Sequence, residues 1–508
     1  MSRRVTSVGV AAVWLLAGSA AALAAGADAS LIAAVKAGDR AGVRTVVKGG
    51  TDLNGREVDG TTALHWAVRR DDTEIAALLL GARADANAAN RYGVTPLSLA
   101  ARNGSGPMLE LLLRHGADVK AADAAASDGQ TLLMLAARTG RVEALKQLVG
   151  RSVNVNATEP RTGTSAVMWA AVADRGDAVR FLAEAGADLN ARSKVTEYPH
   201  TPAAVVSDAL EPGVSYVGQT VLPKGGWTPL MYAAREGAAG AIRALAEARA
   251  DLNAQDPEGT TALIFAIING HADAAAVLIG KGADLNLADK TGMTPLYAAV
   301  DMHTLASGFG RPDLTPIVVA DTLKTIDALL AAGADVNAPL KSRVPKRVYN
   351  AGDGRLGEGA TPFMRAARGG DVVVLKKLLA AGADPKRIQK SGVTPIHLAA
   401  GLGGDREDNN PLRGGEDEAI TAIELCLERG LDINAVSTSG ESVVHSALGS
   451  PKIIRFLVQK GAKLDFKNKQ GRTPLEQAST GREPDLETIA VLKELTAAST
   501  PKDAPAVQ

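Results

Sequence analysis

The string TPLMYAAREG at Thr228–Gly237 returns along this chain in near copies, and their spacing constrains the fold more than any other feature. Its first position is held by Thr62, Thr95, Thr131, Ser165, Thr228, Thr261, Thr294, Thr361, Thr394, Ser442 and Thr473. The intervals are 33, 36, 34, 63, 33, 33, 67, 33, 48 and 31 residues. The period is 33, and the larger gaps are a period plus inserted chain. Self-similarity at a fixed period marks stacked supersecondary units, so length alone does not set a domain count here.

Most units read G-x-T-P-L-x-x-A-A, then a Leu-rich stretch, then G-A-D-x-N, as in GMTPLYAAV followed by LLAAGADVNA. Threonine offers an N-cap oxygen to the orphan amides of a helix, and proline fits the first helical position. Leucine and two alanines follow, small enough for neighbouring helices to approach closely. Paired leucines in LELLLRHGADV or LKKLLAAGADP mark a second helix that glycine stops in a left-handed cap. The segments around G-A-D-x-N and D-x-x-G form a turn projecting sideways. A helix pair this short cannot bury its apolar face alone, so each unit must lean on its neighbours.

The 33-residue period, the T-P-L-H-type tetrapeptides and the G-A-D-V-N segments together resemble the ankyrin repeat, over roughly residues 28–497. The resemblance implies an all-α solenoid of about twelve helix-turn-helix units with projecting β-turn fingers. It implies a concave face, made of the turn tips and first helices, that grips another protein. The expected layout is a capped block of repeats over 25–191, an insertion at 192–224, and repeats over 225–337 interrupted internally at 303–322. A second insertion at 338–357 precedes repeats over 358–497, interrupted at 402–417 and closed by LETIAVLKELTAAS, with 498–508 as a loose tail.

Before the repeats stand Arg3 and Arg4, an apolar run through Trp14 and Leu16, and the small-residue pattern Ala22-Leu23-Ala24. That order predicts a secretory signal peptide over residues 1–24, and with it a bacterial periplasmic or secreted protein. No later stretch is apolar for long enough to cross a membrane, so no membrane insertion is expected after cleavage. Lys+Arg and Asp+Glu both number 56, which leaves no overall field to gather nucleic acid. The single cysteine, Cys426, excludes an intrachain disulfide framework and a cysteine-rich zinc site.

Catalytic signatures are sparse. His65, His397 and His445 close the tetrapeptide, where the repeat uses imidazole to bridge backbone and turn; His115 and His271 also stand at places where such repeats carry histidine. His200 and His303 lie in or beside insertions, and for both the plainer expectation is an exposed loop histidine. No H-E-x-x-H or other ligand spacing supports a metal. GDGRLG at Gly352–Gly357 matches a phosphate-binding string but follows no strand and sits in no βαβ unit. Cys426 takes a leucine position of a second helix, which predicts inert packing. Asp118, Asp188, Asp251, Asp284, Asp335 and Asp384 recur at one repeat position, so turn chemistry accounts for them. No cofactor is expected.

Just after the two alanines stand Arg69, Arg102, Arg138, Arg235 and Arg368, which stacking would set along the concave face as an interrupted basic stripe. Such a stripe fits an acidic partner surface, since arginine's fork makes bidentate contacts; its alternative is a solvated face paired with neighbouring acids. Tyr92 and Trp227 flank the turn glycine as candidate aromatic anchors. Trp66, Trp169, Tyr232 and Phe265 fall at the position just before the alanines and are expected in the core. The leading expectation is a non-enzymatic, monomeric exported scaffold that binds another protein or peptide of the envelope or exterior. The alternative is a periplasmic enzyme or ligand-binding protein whose site is built over the groove by the 192–224 and 338–357 insertions, with His200 and Arg235.

Overall fold

The residue opening each repeat string caps a helix. In the computed structural model, which describes residues 31–151, 153–196, 225–304, 315–344, 354–401, 415–480 and 485–499, the hydroxyls of Thr62, Thr95, Thr131, Thr261 and Thr361 accept the amide three residues on. This satisfies one of the orphan donors at a helix start, while Pro96 and Pro362 stand where a missing N–H costs nothing. Gly104 and Gly140 end two of these helices at φ 67° and 80°, in the left-handed region that favours glycine.

The chain forms two compact units. The first comprises Met1–Val195, Gly225–Ala233 and Ala238–Asp251. It carries α1 (31–37) with α2 (Arg40–Lys48), α3 (Ala63–Arg69) with α4 (Thr73–Gly81), and α5 (Pro96–Asn103) with α6 (Gly106–Arg114). After α7 (Val119–Ala125) come α8 (Leu132–Thr139) with α9 (Val142–Val149), α10 (Ala166–Val172) with α11 (Gly176–Glu184), and most of α12 (Pro229–Arg235) with α13 (Ala239–Glu247). The second unit comprises Thr196–Lys224, Ala234–Gly237 and Leu252–Gln508. It carries α14 (Ala262–Ile268) with α15 (Ala272–Gly280), α16 (Pro295–Thr304) with α17 (Thr315–Ala331), and α18 (Pro362–Arg368) with α19 (Val372–Ala380). There follow α20 (Pro395–Ala400) with α21 (Glu416–Glu428), α22 (Val443–Ser446) with α23 (Pro451–Gln459), and α24 (Pro474–Ala478) with α25 (Leu486–Ser499). With α7 set aside these are twelve pairs among the described residues.

Within the first unit α3, α5, α8 and α10 pack in file, with α2, α4, α6, α9, α11 and α13 as a second file behind them. In the second unit the front file is α14, α16, α18, α20, α22 and α24, and the odd-numbered helices α15 to α25 form the back. The paired alanines Ala100 and Ala101, Ala136 and Ala137, and Ala170 and Ala171 are completely buried between front helices. Back-file leucines Leu79, Leu112, Leu145 and Leu182 are equally buried. Each such leucine contributes about 1.5–3 kcal/mol of burial, and that burial exists only because a neighbouring pair covers it.

Hydrogen bonds repeat with the same period. At the fingertips Arg91 N–H donates to Asp59 O at 2.9 Å, Lys194 to Thr162 at 2.7 Å, Lys290 to Glu258 at 2.9 Å and Lys390 to Glu358 at 2.9 Å. At the finger bases the side-chain oxygens of Asn54, Asn87, Asn156 and Asn190 accept the amides of Asp85, Asp118, Asp188 and Asp251 at 2.8–2.9 Å. Asn253, Asn286 and Asn337 do the same for Asp284, Asp335 and Asp384 at 2.8 Å. The recurrent aspartates are therefore stacking elements. Gly60 shows how close the tips come: it sits at φ +84°, and a Cβ there would lie 3.2 Å from the Arg91 nitrogen. The fingers hold only isolated antiparallel bridges, such as Arg56 to Thr62 and Gln255 to Thr261.

Three features depart from the sequence expectation. The 36-residue interval between Thr95 and Thr131 accommodates α7, capped by Asp118, whose Asp123 carboxylate accepts Leu132 N–H at 2.7 Å. The span 303–322 is not wholly inserted loop: α16 runs through Thr304 and α17 is 17 residues long, so both helices of that pair extend into it. In the 338–357 segment, Leu340 and Leu356 are buried, and Leu340 N–H donates to Ala360 O at 2.8 Å. Residues 197–224, 305–314, 345–353, 402–414, the signal segment 1–24 and the tail from 500 lie outside the described residues.

Candidate functional site

The front helices of the first unit are only seven or eight residues long, and among the described residues no further layer of helices packs on their outer side. Two positions of each string face outward there, the one just before the paired alanines and the one just after them. The first is held by Trp66, Leu99, Leu135, Trp169 and Tyr232, of which Leu135 is buried, and the second by Arg69, Arg102, Arg138 and Val172. Trp66, Trp169 and Tyr232 are half-buried, which corrects the expectation that they are core; Phe265, at the same register in the second unit, is buried as expected. The physical reason is that this position lies at the rim of the alanine contact, where a ring covers the neighbouring helix with one face and presents the other to solvent.

A cleft of about 1100 Å³ opens on this face. Its walls are the fingertips 126–130 and 159–164, and its floor includes Arg138, Met168, Trp169, Val172 and Tyr232. Val172 is 43% exposed, a large aliphatic side chain where the neighbouring strings place arginine. The Trp169 indole donates to Thr164 Oγ1 at 3.1 Å, fixing its plane, and the Arg138 guanidinium lies 5.9 Å from its ring centre. Trp227 stands edge-on to Tyr232 at 5.4 Å and 75°, so it supports the cleft through that ring. Its backbone exchanges hydrogen bonds with Ser193, N–H to Oγ at 3.1 Å and O from Ser193 N–H at 3.1 Å. Tyr92 is 67% exposed on its fingertip, away from the cleft lining.

The acids on this face are engaged by their own fingers. Glu159 accepts the Arg161 and Thr162 amides at 2.8 and 2.9 Å and bonds the Thr162 hydroxyl. Burial pushes its carboxyl up, and these hydrogen bonds outweigh the burial and hold it below the usual range. Asp59 is lowered chiefly by the Thr61 amide it accepts. Glu57 receives Lys36 Nζ and the Trp66 indole N–H, both at 2.6 Å. The arginines differ: Arg69 and Arg138 lean on Trp66 and Trp169, and Arg102 is exposed, and among the described residues none of the three has a carboxylate partner.

The second unit treats the same register otherwise. Arg368, expected on an exposed stripe, is buried at 2% exposure, its guanidinium donating to Gly401 O at 2.8 Å. The next string carries glycine at that register, and the missing side chain leaves the carbonyl open to the guanidinium. The buried Arg365 pairs with the part-buried Asp301 at 2.5 Å, and Arg235 pairs with Glu236 at 2.7 Å. His303 is not an exposed loop histidine: it is buried on α16, with Nδ1 2.5 Å from the Asp371 carboxylate that caps α19. Repeats bring these groups together across 64 and 68 residues, a pairing the single-unit pattern does not encode.

The tetrapeptide histidines bridge units. His65, His397 and His445 set Nδ1 against the capping Thr62, Thr394 and Ser442, and Nε2 against Val94 O at 3.0 Å, Glu441 O at 3.2 Å and Arg472 O at 3.1 Å. Burial lowers all three, His397 to about 4. His271 Nε2 meets Arg235 O at 2.9 Å, and His115 ends α6. Cys426 is buried, and that burial pushes its thiol up to about 12. Among the described residues no group of three or more His, Cys, Asp or Glu is placed to hold a metal, and no helix is long and apolar enough to cross a membrane. His200 lies outside the described residues. Of GDGRLG, residues 354–357 are described, and Gly357 N–H donates to Gln389 Oε1 at 2.8 Å, as a structural turn.

The family model described as ankyrin repeats in three copies matches residues 31–123, 120–193 and 230–307, and the single ankyrin repeat model matches 358–389. Neurogenic locus notch homolog protein 1 of Mus musculus is 35% identical over 154 residues, 30% of this chain and 6% of that protein. The human notch homolog protein 2 is 34% identical over 138 residues, 27% of this chain and 6% of its own length. The match thus spans about one-twentieth of these relatives. Among solved structures, the human ASB11 ankyrin repeat domain aligns at 22% identity over 50% of this chain and 98% of that one, with a TM-score of 0.39. The ankyrin repeat domain of Bcl-3 aligns at 25% identity over 46% and 92%, with a TM-score of 0.35. With both family models together covering more than half of its 508 residues on the register that the caps, fingers and ladders define, this chain belongs to the ankyrin repeat family.

Proposed function

We propose that the chain is an exported, non-enzymatic scaffold that binds another protein, or a peptide segment of one, on the face made by its front helices and fingertips. The cleft at Trp169, Val172 and Tyr232 carries this reading. It offers two half-exposed rings and an exposed valine, the apolar anchors that dominate interface energy, inside a rim of finger backbone. At about 1100 Å³ and open to solvent, it has room for a side-chain-bearing segment. Stacking makes the surface rigid before the partner arrives, so little ordering entropy is lost on association. Export to the periplasm or exterior, suggested by residues 1–24, places the partner among envelope or secreted proteins, met by a monomer of this chain.

The test is affinity capture from periplasmic extract with the mature protein, in parallel with the double variant Trp169→Ala, Tyr232→Ala and with Lys146→Ala on a back helix. One protein retained by the parent and Lys146→Ala, and lost from the double variant, is the expected result. Identical retention by all three refutes the cleft as the binding site.

A further inference from the structure

We infer that the segment bound on the first unit is acidic and extended, its carboxylates spaced to meet Arg69, Arg102 and Arg138 in turn. The inference rests on the scaffold reading above and adds the chemistry of the partner. These arginines close the adjacent front helices α3, α5 and α8 at one register, and all three are exposed. Among the described residues none has a carboxylate partner. Three back-file arginines do find acids, Arg40 pairing with Glu74 at 2.6 Å, Arg114 with Glu110 and Arg180 with Asp177, while Arg44 and Arg243 form no ion pair among the described residues. Availability of acids does not explain the contrast, because the front face carries Glu57, Asp59, Asp128 and Glu159. Those carboxylates are taken by Lys36 and Trp66, by the Thr61 amide, by the Gln130 amide, and by the Arg161 and Thr162 amides. A row of guanidiniums is thus left without an ion pair beside acids that are each engaged by a neighbouring group.

Geometry selects the ligand further. Arg69 and Arg138 lie 5.2 and 5.9 Å from the Trp66 and Trp169 ring centres, a cation–π contact that uses none of the N–H donors a bidentate acceptor would take. Packed helices stand about 8–10 Å apart, so the three forks repeat at about that step. A polyproline-type chain has three residues per turn and advances about 9 Å per turn, which puts every third side chain on one face at the same step. An acid-x-x-acid-x-x-acid segment therefore meets all three, and continuation past Arg138 carries it into the Trp169 cleft. Nucleic acid is disfavoured because the chain has no net positive charge and acids border the row.

The probe is a synthetic peptide of three Glu-Pro-Pro triplets ending in Leu, compared with an isomer whose three glutamates are contiguous, and with a single-stranded oligonucleotide of equal charge. Titration into the mature protein is expected to show the triplet peptide binding at least about tenfold tighter than the isomer. Each Arg→Ala change is expected to weaken it about tenfold, and Arg→Lys to restore only part of that loss. Equal binding of both peptides, tighter binding of the oligonucleotide, or indifference to all three Arg→Ala changes in variants with unaltered circular dichroism overturns the inference. Capture experiments separate this failure from failure of the scaffold reading. A natural partner that survives the triple arginine variant but is lost with Trp169→Ala, Tyr232→Ala leaves the scaffold standing without its acidic ligand.

Discussion

His397 links the stacking of repeats to pH in a way that can be measured. Its Nδ1 faces the Thr394 hydroxyl at 2.8 Å and the Thr394 amide at 3.4 Å, while Nε2 lies 3.2 Å from Glu441 O on the next finger. Only the neutral ring fits both sides, accepting from the cap and donating to the carbonyl; a second ring proton would point at the Thr394 N–H. Burial of the ring is the main cause that lowers its pKa to about 4 from an ordinary 6.5. The unfolded chain takes up a proton near pH 6.5 and the folded chain does not, so acid favours unfolding. The contribution is intact above pH 6.5, is lost as pH falls toward 4, and changes no further below that. At 1.36 kcal/mol per pH unit the loss is about 3 kcal/mol at full extent and about 2 kcal/mol at pH 5. His65 and His445, lowered mainly by burial, act in the same direction. The assay is amide exchange in α20 as a function of pH, corrected for intrinsic rates, in the parent and in His397→Gln. The parent should lose about 3 kcal/mol more protection than the variant between pH 7 and 4. Parallel profiles, or a ring that titrates near 6.5 by NMR, would refute the argument.

Removing the buried Arg365 from its pair with the part-buried Asp301 by Arg365→Leu should cost about 1.5–3 kcal/mol in urea unfolding, because a charge-assisted hydrogen bond is lost. Asp301→Leu with Arg365→Leu should recover most of that loss in a double-mutant cycle. Cys426, with its thiol pushed up to about 12 by burial, should resist alkylation at pH 8 in the native protein and react on unfolding, which an iodoacetamide time course with and without urea will read.

How much of this was legible in the sequence depends on whether an interaction belongs to one unit or to two. Thr62 as a cap, Gly104 as a helix stop and Asp118 as a turn residue are properties of a single 33-residue period, and the string states them. The bridging histidines also follow from register, since His65 and His397 stand at equivalent places and reach equivalent carbonyls. Arg69 and Arg368 share a register as well, yet one is exposed and the other buried, because the string after Arg368 substitutes Gly401 for a side chain. The His303–Asp371 contact spans 68 residues and an interrupted unit, beyond what periodicity relates. Trp66 and Trp169 were expected in the core because the position next to the paired alanines reads as apolar packing. The pattern does not show that, among the described residues, no layer packs on the front file, which leaves that same position half-exposed.

Units too small to stand alone hold one another, and this mutual support shapes the front face. Amide exchange at the fingertips tests it most directly. Arg91, Lys290 and Lys390 sit on exposed turns, and each donates its N–H to the preceding finger at 2.9 Å. These amides should exchange orders of magnitude more slowly than a solvated turn, and Leu112→Ala in the back file of the first unit should lower protection at Arg91 while its own helix is still present. Fast exchange at all three amides in the intact protein would contradict it.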